Sequence, residues 1–460
     1  MKRWIDYLII MLVGVVTHGL LLFNDGIYWD GWLLYSRLVK RESLVSWLVE
    51  AGRPIEFCFH WVMGHLPGLV FEYKLVAFLS IIISAVLIYK ICGQTKLLNR
   101  GESLLVAVIF LTFPVFHVGV EMTIIPYLFL YLLYWLAVFL TFKSEESTGP
   151  AGYAWRVLSL LIFFVSFSLY SLLVFFFGFI LVLVLHVRYY RGYSWRQIVT
   201  RFLPGHLDYI IMPFLFWILS QRFFGLSDFY AKASDKLVKF DWVPIKDCFS
   251  GFVHYVFYDQ WIAAAGNLRA LPLFSLLVLL VAYWSYKAYR VTILRWLGIG
   301  GRPWYFIIIG AVLFLAGTFP YTAVGAYPRM YSWDTRNAIL AGLPIALIVV
   351  GLFRLVFSSK LKVLNHLAFM TLVMIISAFI LSNINAYLYW QSVWIKNRSI
   401  IYNLSQKKMC PAYFCFLDRS KNQAAGGRSW SFLCLEFNIY HCLGKWSTHR
   451  FPWTFPGLAG

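Results

Sequence analysis

Two carboxylates lie close together in the segment after the first apolar run, which reads Asn24-Asp25-Gly26-Ile27-Tyr28-Trp29-Asp30-Gly31-Trp32. Asp30 stands between two tryptophans and beside Gly31, a residue type that lets a ligand approach the backbone closely. A carboxylate in a partly dry environment can have a raised pKa and act as a general base. We therefore take Asp30 as the first candidate catalytic residue and Asp25 as the second. The structural alternative is a capped helix start, with Trp29 and Trp32 as membrane-interface residues.

Three arginines are candidates for binding a phosphate group. Arg53 lies between Gly52 and Pro54, and the proline restricts the backbone before it. A guanidinium held in one place suits bidentate binding of a phosphate. Arg329 and Arg336 belong to the later segment 327–337, in which basic and aromatic residues interleave. The alternative is that these arginines only place charge at the membrane surface.

Glu121 lies in a short connection between two apolar runs, 103–120 and 123–142. A carboxylate next to lipid is costly unless it is paired or functional. Glu121 is therefore a further candidate for binding substrate, and a buried structural role is the alternative.

Membrane spans must position these residues. The chain is 61% hydrophobic and only 13% charged, with a mean hydropathy of +0.72, whereas soluble domains carry about 25% charged residues. The 20 tryptophans suit the interfaces of a bilayer. The net charge of +20 does not indicate nucleic-acid binding, because most basic residues fall in short loops between apolar runs. The predicted fold is an all-α polytopic membrane protein.

Runs of about 20 apolar residues predict the spans. Nine runs qualify singly: 4–23, 73–92, 103–120, 123–142, 207–223, 270–289, 303–320, 338–357 and 366–388. A tenth, 157–187, would form a helix of about 46 Å, too long for an apolar core of about 30 Å. Basic residues flank it on both sides, so we predict two short helices with a turn near Ser166–Ser171. The total is about 11 spans, and 4–23 is interpreted as an uncleaved first span.

Charge predicts the orientation. With the N-terminus in the cytoplasm, the inner segments hold 18 Lys and Arg, whereas the longer outer loops hold about 12. Of the 20 acidic residues, 13 fall on the outer side. This predicts a multi-pass membrane protein with a cytoplasmic N-terminus. Residues 33–50 alternate apolar and charged residues at helical spacing, which predicts an amphipathic helix on the outer surface.

Two regions follow from this pattern. Residues 1–390 form the predicted transmembrane domain. Residues 391–460 are less apolar and hold four of the seven cysteines, and they are expected to form an extracytoplasmic tail or small domain.

The long first outer loop resembles that of the GT-C superfamily of membrane glycosyltransferases, and within it the bacterial GtrII-like glucosyltransferase group. The features that carry the resemblance are the acidic, Trp-rich start at 24–32, the surface helix, and the close at Gly52-Arg53-Pro54. By architecture it covers roughly residues 1–390, and by motif about thirty residues. The adjacent acidic pair usual in the family is split here, because four residues separate Asp25 and Asp30.

The resemblance implies an enzyme that moves a sugar from a polyprenyl-phosphate donor to a glycan or lipid acceptor on the outer face of the membrane. It implies an aspartate as base, for which Asp30 and then Asp25 are the candidates. Arg53, Arg329 and Arg336 would bind the phosphate, and Glu121, Trp29 and Trp32 would complete the substrate site. A lipid-linked donor requires no nucleotide site, and the sequence has no phosphate-binding glycine loop. Asp25 and Asp30 could bind Mg²⁺ or Mn²⁺, but two carboxylates are too few to predict a metal site.

Three other classes stay open at this stage. A lipid-linked oligosaccharide flippase or transporter would place charged groups and broken helices at mid-membrane. An O-antigen ligase or polymerase has a similar number of spans. A purely structural membrane protein would scatter the candidate residues, whereas an enzyme would bring Asp30, Arg53, Glu121 and Arg336 together.

Overall fold

The computed structural model describes residues 4–95, 98–190, 192–223, 242–296, 303–357, 361–406, 414–418, 431–437 and 446–448. Up to Gln406 the regular elements among these residues are all helical. The predicted outer-loop segment 224–241 and the tail cysteines Cys410 and Cys442 lie outside the described residues.

The helices follow one another with short connections in most places. They are α1 Trp4–His18, α2 Gly31–Val39, α3 Pro54–Met63, α4 Leu69–Thr95, α5 Arg100–Thr112, α6 Ile125–Glu146, α7 Pro150–Ser166, α8 Ser171–Tyr190, α9 Leu207–Phe223, α10 Trp242–His254, α11 Gln260–Ala270, α12 Pro272–Trp296, α13 Trp304–Thr322, α14 Gly342–Phe357 and α15 Lys362–Gln406. Shorter 3₁₀ segments cover Gly19–Phe23, Phe116–Val120 and Trp333–Ala341. Short helical turns span Trp195–Gly205, and π-helical turns cover Val45–Val49 and Tyr255–Asp259.

Seven helices in the described residues are long and apolar enough to cross a membrane, and up to nine if two bent pairs each count as one span. The predicted all-α polytopic class agrees with this result, but the predicted count of 11 is not confirmed. The predicted run 103–120 is not one helix, because α5 ends at Thr112 and a 3₁₀ turn begins only at Phe116. Helix α7 has 17 residues and falls just short of a span.

The long apolar run 157–187 is broken as its length requires. Helix α7 ends at Ser166 and α8 begins at Ser171. The hydroxyl of Ser166 donates to the carbonyl of Phe163, 2.8 Å away, so the last turn of α7 satisfies this buried side chain within its own helix.

Two bent helix pairs are present that the sequence did not predict. Trp195–Gly205 meets Leu207–Phe223 at 53°, and Ile245–Ala270 meets Pro272–Lys287 at 99°. Each pair is a broken span or a re-entrant segment.

Two ion pairs, one partly and one fully buried, connect helices at one end of the bundle. Arg100 at the start of α5 donates to Asp6 near the start of α1, with an Nε–Oδ2 distance of 2.6 Å. Arg354 near the end of α14 pairs with Glu102 in α5 at 3.1 Å. These residues define the opposite end of the bundle. The other end holds the segment 24–31, the start of α4, the start of α6 and Trp333–Ala341, and we call it the first-loop end.

The predicted surface helix over 33–50 is two pieces. Helix α2 ends at Val39, and Arg41 adopts a left-handed backbone with φ of +53°. The amide of Glu42 donates to the carbonyl of Arg37, five residues earlier, at 2.9 Å. This is the 6→1 hydrogen bond of a Schellman motif. Helical periodicity continues through this stop in the sequence, which is why the pattern did not reveal it.

The predicted boundary at residue 390 falls inside a helix. Helix α15 is 45 residues long and ends at Gln406. Beyond it, three antiparallel strands form a small sheet in the order β1 Phe414–Asp418, β2 Ser431–Phe437 and β3 Trp446–Thr448. Cys415 pairs in register with Cys434 across β1 and β2.

Cysteine accessibility tests the two ends of the bundle. In a variant whose seven cysteines are replaced by alanine, we expect a membrane-impermeant maleimide to label Glu42→Cys on intact cells. Glu146→Cys should react only after the membrane is opened, although both glutamate side chains are about half exposed, at 52% and 50%. Reversed labelling would show the opposite orientation. Labelling of both from outside would contradict their placement at opposite ends.

Candidate active site at the first-loop end

The segment 24–31 leaves α1 in a tightly bonded turn. The side chain of Asn24 accepts a hydrogen bond from the amide of Gly26 at 2.9 Å. The hydroxyl of Tyr28 bonds to the carbonyl of Trp390 in α15 at 2.7 Å. Trp29 then adopts a positive φ of 42°, which is uncommon for a bulky residue and tends to occur at functional sites. The fold thus holds this segment against α15 before α2 begins.

Asp25 and Asp30 are both exposed at this end of the protein. Asp30 is the residue before α2, but its side chain makes no capping hydrogen bond to the helix. The structural alternative for Asp30, a helix cap, is therefore not what the carboxylate does here. Because the residue is exposed, an acceptor hydroxyl could reach it from solvent.

Glu121 packs against Gly31, the residue after Asp30, although 91 positions separate Glu121 from Asp30 in the sequence. A methyl group built on Gly31 would come within 2.6 Å of Glu121 Oε1. Glu121 is fully buried, and Oε1 accepts from the Thr123 hydroxyl at 3.2 Å. Within the described residues its Oε2 has no hydrogen-bond partner. Burial raises the pKa of Glu121 above its usual range, Lys74 opposes this shift, and the charge of Asp30 adds to it.

Lys74 is the buried cation of this cluster. It belongs to α4 and is 0% exposed. Its ammonium donates to the carbonyl of Gly26 at 3.3 Å and to the carbonyl of Val120, the residue before Glu121. Asp25 is within electrostatic range of it. Lys74 therefore connects the first loop to the turn that carries Glu121.

A second cluster holds the arginines. Arg53 precedes Pro54, the first residue of α3, and its Nη1 donates to the hydroxyl of Tyr127 at 3.1 Å and to Glu56 at 3.4 Å. Burial raises the pKa of Glu56, and both Arg53 and Arg336 oppose the shift. Arg53 therefore contacts this buried carboxylate directly, and Arg336 lies within electrostatic range of it.

Aromatic rings connect the acidic and basic clusters. The ring of Trp29 is 5.7 Å from that of Trp333 and 4.7 Å from that of Trp390. The Arg336 guanidinium stacks over the Trp333 ring at 4.3 Å. Trp29 is 38% exposed, so part of its surface is accessible beside Asp30. A sugar ring could contact such a surface.

The candidate residues are not all in one place. Asp25, Asp30, Glu121 and Trp29 gather around the first loop, and Arg53 and Arg336 act electrostatically on Glu56. Arg329 instead interacts within its own loop, with Asp334 at 3.8 Å and with the Tyr327 hydroxyl at 3.2 Å. Trp32 packs against Trp394 of α15 at 5.5 Å.

Sequence reasoning missed Lys74, Glu56, Tyr127 and the burial of His117. Lys74 lies inside the apolar run 73–92 and close to its first-loop end, a signal that could have been read as functional. His117 is buried, and neither ring nitrogen has a hydrogen-bond partner among the described residues. Burial lowers its pKa to about 4, which favours the neutral ring four residues before Glu121.

The described residues contain no group of three or more His, Cys, Asp or Glu side chains placed to hold a metal ion. The two exposed aspartates therefore do not form a preformed cage for Mg²⁺ or Mn²⁺ in this part of the chain.

Comparisons with protein-family models, curated protein sequences and solved structures gave no match to this chain.

The contact between Gly31 and Glu121 can be tested without an activity assay. We expect Gly31→Ala to lower the free energy of unfolding by about 1–3 kcal/mol, because the added methyl group overpacks a buried carboxylate. Thermal unfolding of the purified protein in detergent measures the effect.

The matched control is Gly266→Ala in α11, where a new methyl group meets no atom within 4 Å. This substitution should be neutral or should stabilise the helix by up to about 1 kcal/mol. Equal destabilisation by both substitutions would contradict the placement of Glu121 against Gly31.

Proposed function

We propose that this protein is a membrane glycosyltransferase that moves a sugar from a polyprenyl-phosphate donor to a glycan or lipid acceptor. The observation that carries the proposal is the position of Asp30: an exposed carboxylate with no capping role, backed by Glu121 and bordered by tryptophan rings. The resemblance of the first loop to GT-C enzymes supports the same class. We propose further that the protein lies in the inner membrane with the first-loop end outside.

The proposed reaction is a single displacement at the anomeric carbon. The Asp30 carboxylate takes the proton of the acceptor hydroxyl, and the acceptor oxygen forms a bond to the anomeric carbon. The bond from that carbon to the phosphate oxygen breaks, and polyprenyl phosphate leaves with the electron pair. Asp25 is the second candidate for the base.

The leaving phosphate requires positive charge on the donor side. Arg53 contacts Glu56, Arg336 lies within electrostatic range of the same carboxylate, and the Arg53 side chain is 48% exposed. Two guanidinium groups and one carboxylate leave one net positive charge, which the single negative charge of a sugar-linked phosphate would neutralise. The apolar chain of the donor would remain in the bilayer beside the bundle.

A flippase for lipid-linked oligosaccharides is the second candidate, favoured by the two bent helix pairs. Against it, the ion pairs of Asp6, Glu102 and Arg354 lie at the opposite end, and Lys74 and Glu121 lie at the first-loop end.

Removal of the proposed base gives the first test. We expect Asp30→Asn to lower sugar transfer by about 100-fold or more, because general-base catalysis contributes on that scale. The assay follows labelled sugar from a polyprenyl-phosphate donor in membranes that contain equal amounts of each variant. Glu42→Gln is the control, since Glu42 is an exposed acid of the same loop, and it should retain full activity.

If Asp25→Asn is inactive and Asp30→Asn is active, Asp25 is the base. If both variants match an active wild type, the proposed base is wrong. Absence of transfer by the wild type from every donor tried, together with movement of lipid-linked sugar across vesicle membranes, would replace the enzyme by the flippase.

The phosphate site gives a separate prediction. We expect Arg53→Met and Arg336→Met each to raise the KM for the donor by about 10- to 100-fold, the effect of losing one charged hydrogen bond. The KM for the acceptor should change little. Arg269→Met in α11 is the control, because Arg269 is exposed and no observation places it in the site. A selective rise in acceptor KM would contradict the proposed phosphate site.

A further inference from the structure

Lys74 is a charged group that the proposed reaction does not use. An ammonium removed from water is unfavourable by several kcal/mol unless nearby groups compensate it. Lys74 obtains that compensation from two backbone carbonyls, Gly26 and Val120, and from the charges of Glu121 and Asp25. None of these partners belongs to α4, so the buried lysine links separate parts of the chain.

Lys74 and Glu121 contact the two boundaries of one short segment, Gly26 and Gly31. Gly26 is bonded to the Lys74 ammonium itself. Gly31 lies against the carboxylate of Glu121, whose preceding carbonyl accepts from the same ammonium. Between them, the hydroxyl of Tyr28 is bonded to the Trp390 carbonyl. The segment is therefore hydrogen-bonded to other parts of the chain at its start and in its middle, and its end packs against a buried carboxylate.

We infer that Lys74 and Glu121 form a positioning pair that holds the segment from Gly26 to Gly31 and thereby orients the Asp30 carboxylate for the acceptor. This inference rests on the proposed function. Neither residue touches the substrate in this arrangement. The left-handed backbone of Trp29 is maintained because both flanks of the segment are fixed.

A double-mutant cycle tests the pair. We expect Lys74→Met and Glu121→Gln each to lower the midpoint of thermal unfolding by several degrees, because each leaves a buried partner uncompensated. The double variant should recover most of the loss, which is the signature of coupling. The control cycle uses Lys143 and Glu146, an exposed pair at 3.1 Å, for which we expect no measurable coupling.

Hydrogen–deuterium exchange provides a readout that requires no activity. In the folded double variant, amides of residues 24–32 should exchange about tenfold faster than in the wild type, since the segment has lost its attachment. Exchange in α6 should stay unchanged. The proposed pair would be wrong if both single variants were as stable as the wild type, or if amide exchange in residues 24–32 were unchanged.

Kinetics separate positioning from stability alone. The double variant should have a kcat lower by at least about tenfold, with donor and acceptor KM within about threefold of wild type, since misplacement of a base by an ångström has effects of this size. Recovery of kcat together with stability would mean that the pair only stabilises the fold. If the wild type transfers no sugar, the proposed function fails, and the stability and exchange results still decide whether the pair holds the segment.

Discussion

A buried ammonium in an apolar bundle must find oxygen partners, and the organisation of the first-loop end follows from how Lys74 meets this requirement. The backbone carbonyls inside helix α4 are used within the helix, and both hydrogen-bond acceptors of Lys74 belong to other segments. The partners come from the loop after α1 and from the turn before α6. Two segments far apart in the sequence are thereby brought to one point, and the candidate site lies at that point.

Aromatic rings connect the acidic and the basic parts of the site. Trp29, the residue before Asp30, contacts the ring of Trp333, and the Arg336 guanidinium stacks over that ring. Direct pairing of Asp30 with an arginine would neutralise both, and neither could then serve a ligand. The separate positions of these groups suit a reaction in which a proton is taken at one place and negative charge develops at another.

The class of fold could be predicted from the sequence, since apolar runs such as 73–92 and 123–142 correspond to α4 and α6. The position of Asp30 at the end of a loop could also be predicted, because neighbouring residues in the sequence determine it. The approach of Glu121 to Gly31 was not, because tertiary contact alone determines it. The stop at Arg41 was missed because a left-handed arginine replaces the usual glycine. Lys74 was passed over because an isolated lysine near the end of a span usually extends to the membrane surface.

Helix α15 is longer than a single membrane crossing requires. Its 45 residues extend about 68 Å at 1.5 Å per residue, roughly twice the apolar thickness of a bilayer. Trp390 and Trp394 touch the first loop, so that part of α15 is level with the candidate site. The 16 positions from Trp390 to Gln406 then rise about 24 Å further if the helix stays upright. The three-stranded sheet comes later in the chain than the end of this extension at Gln406, so α15 separates it in sequence from the part of the helix that contacts the site.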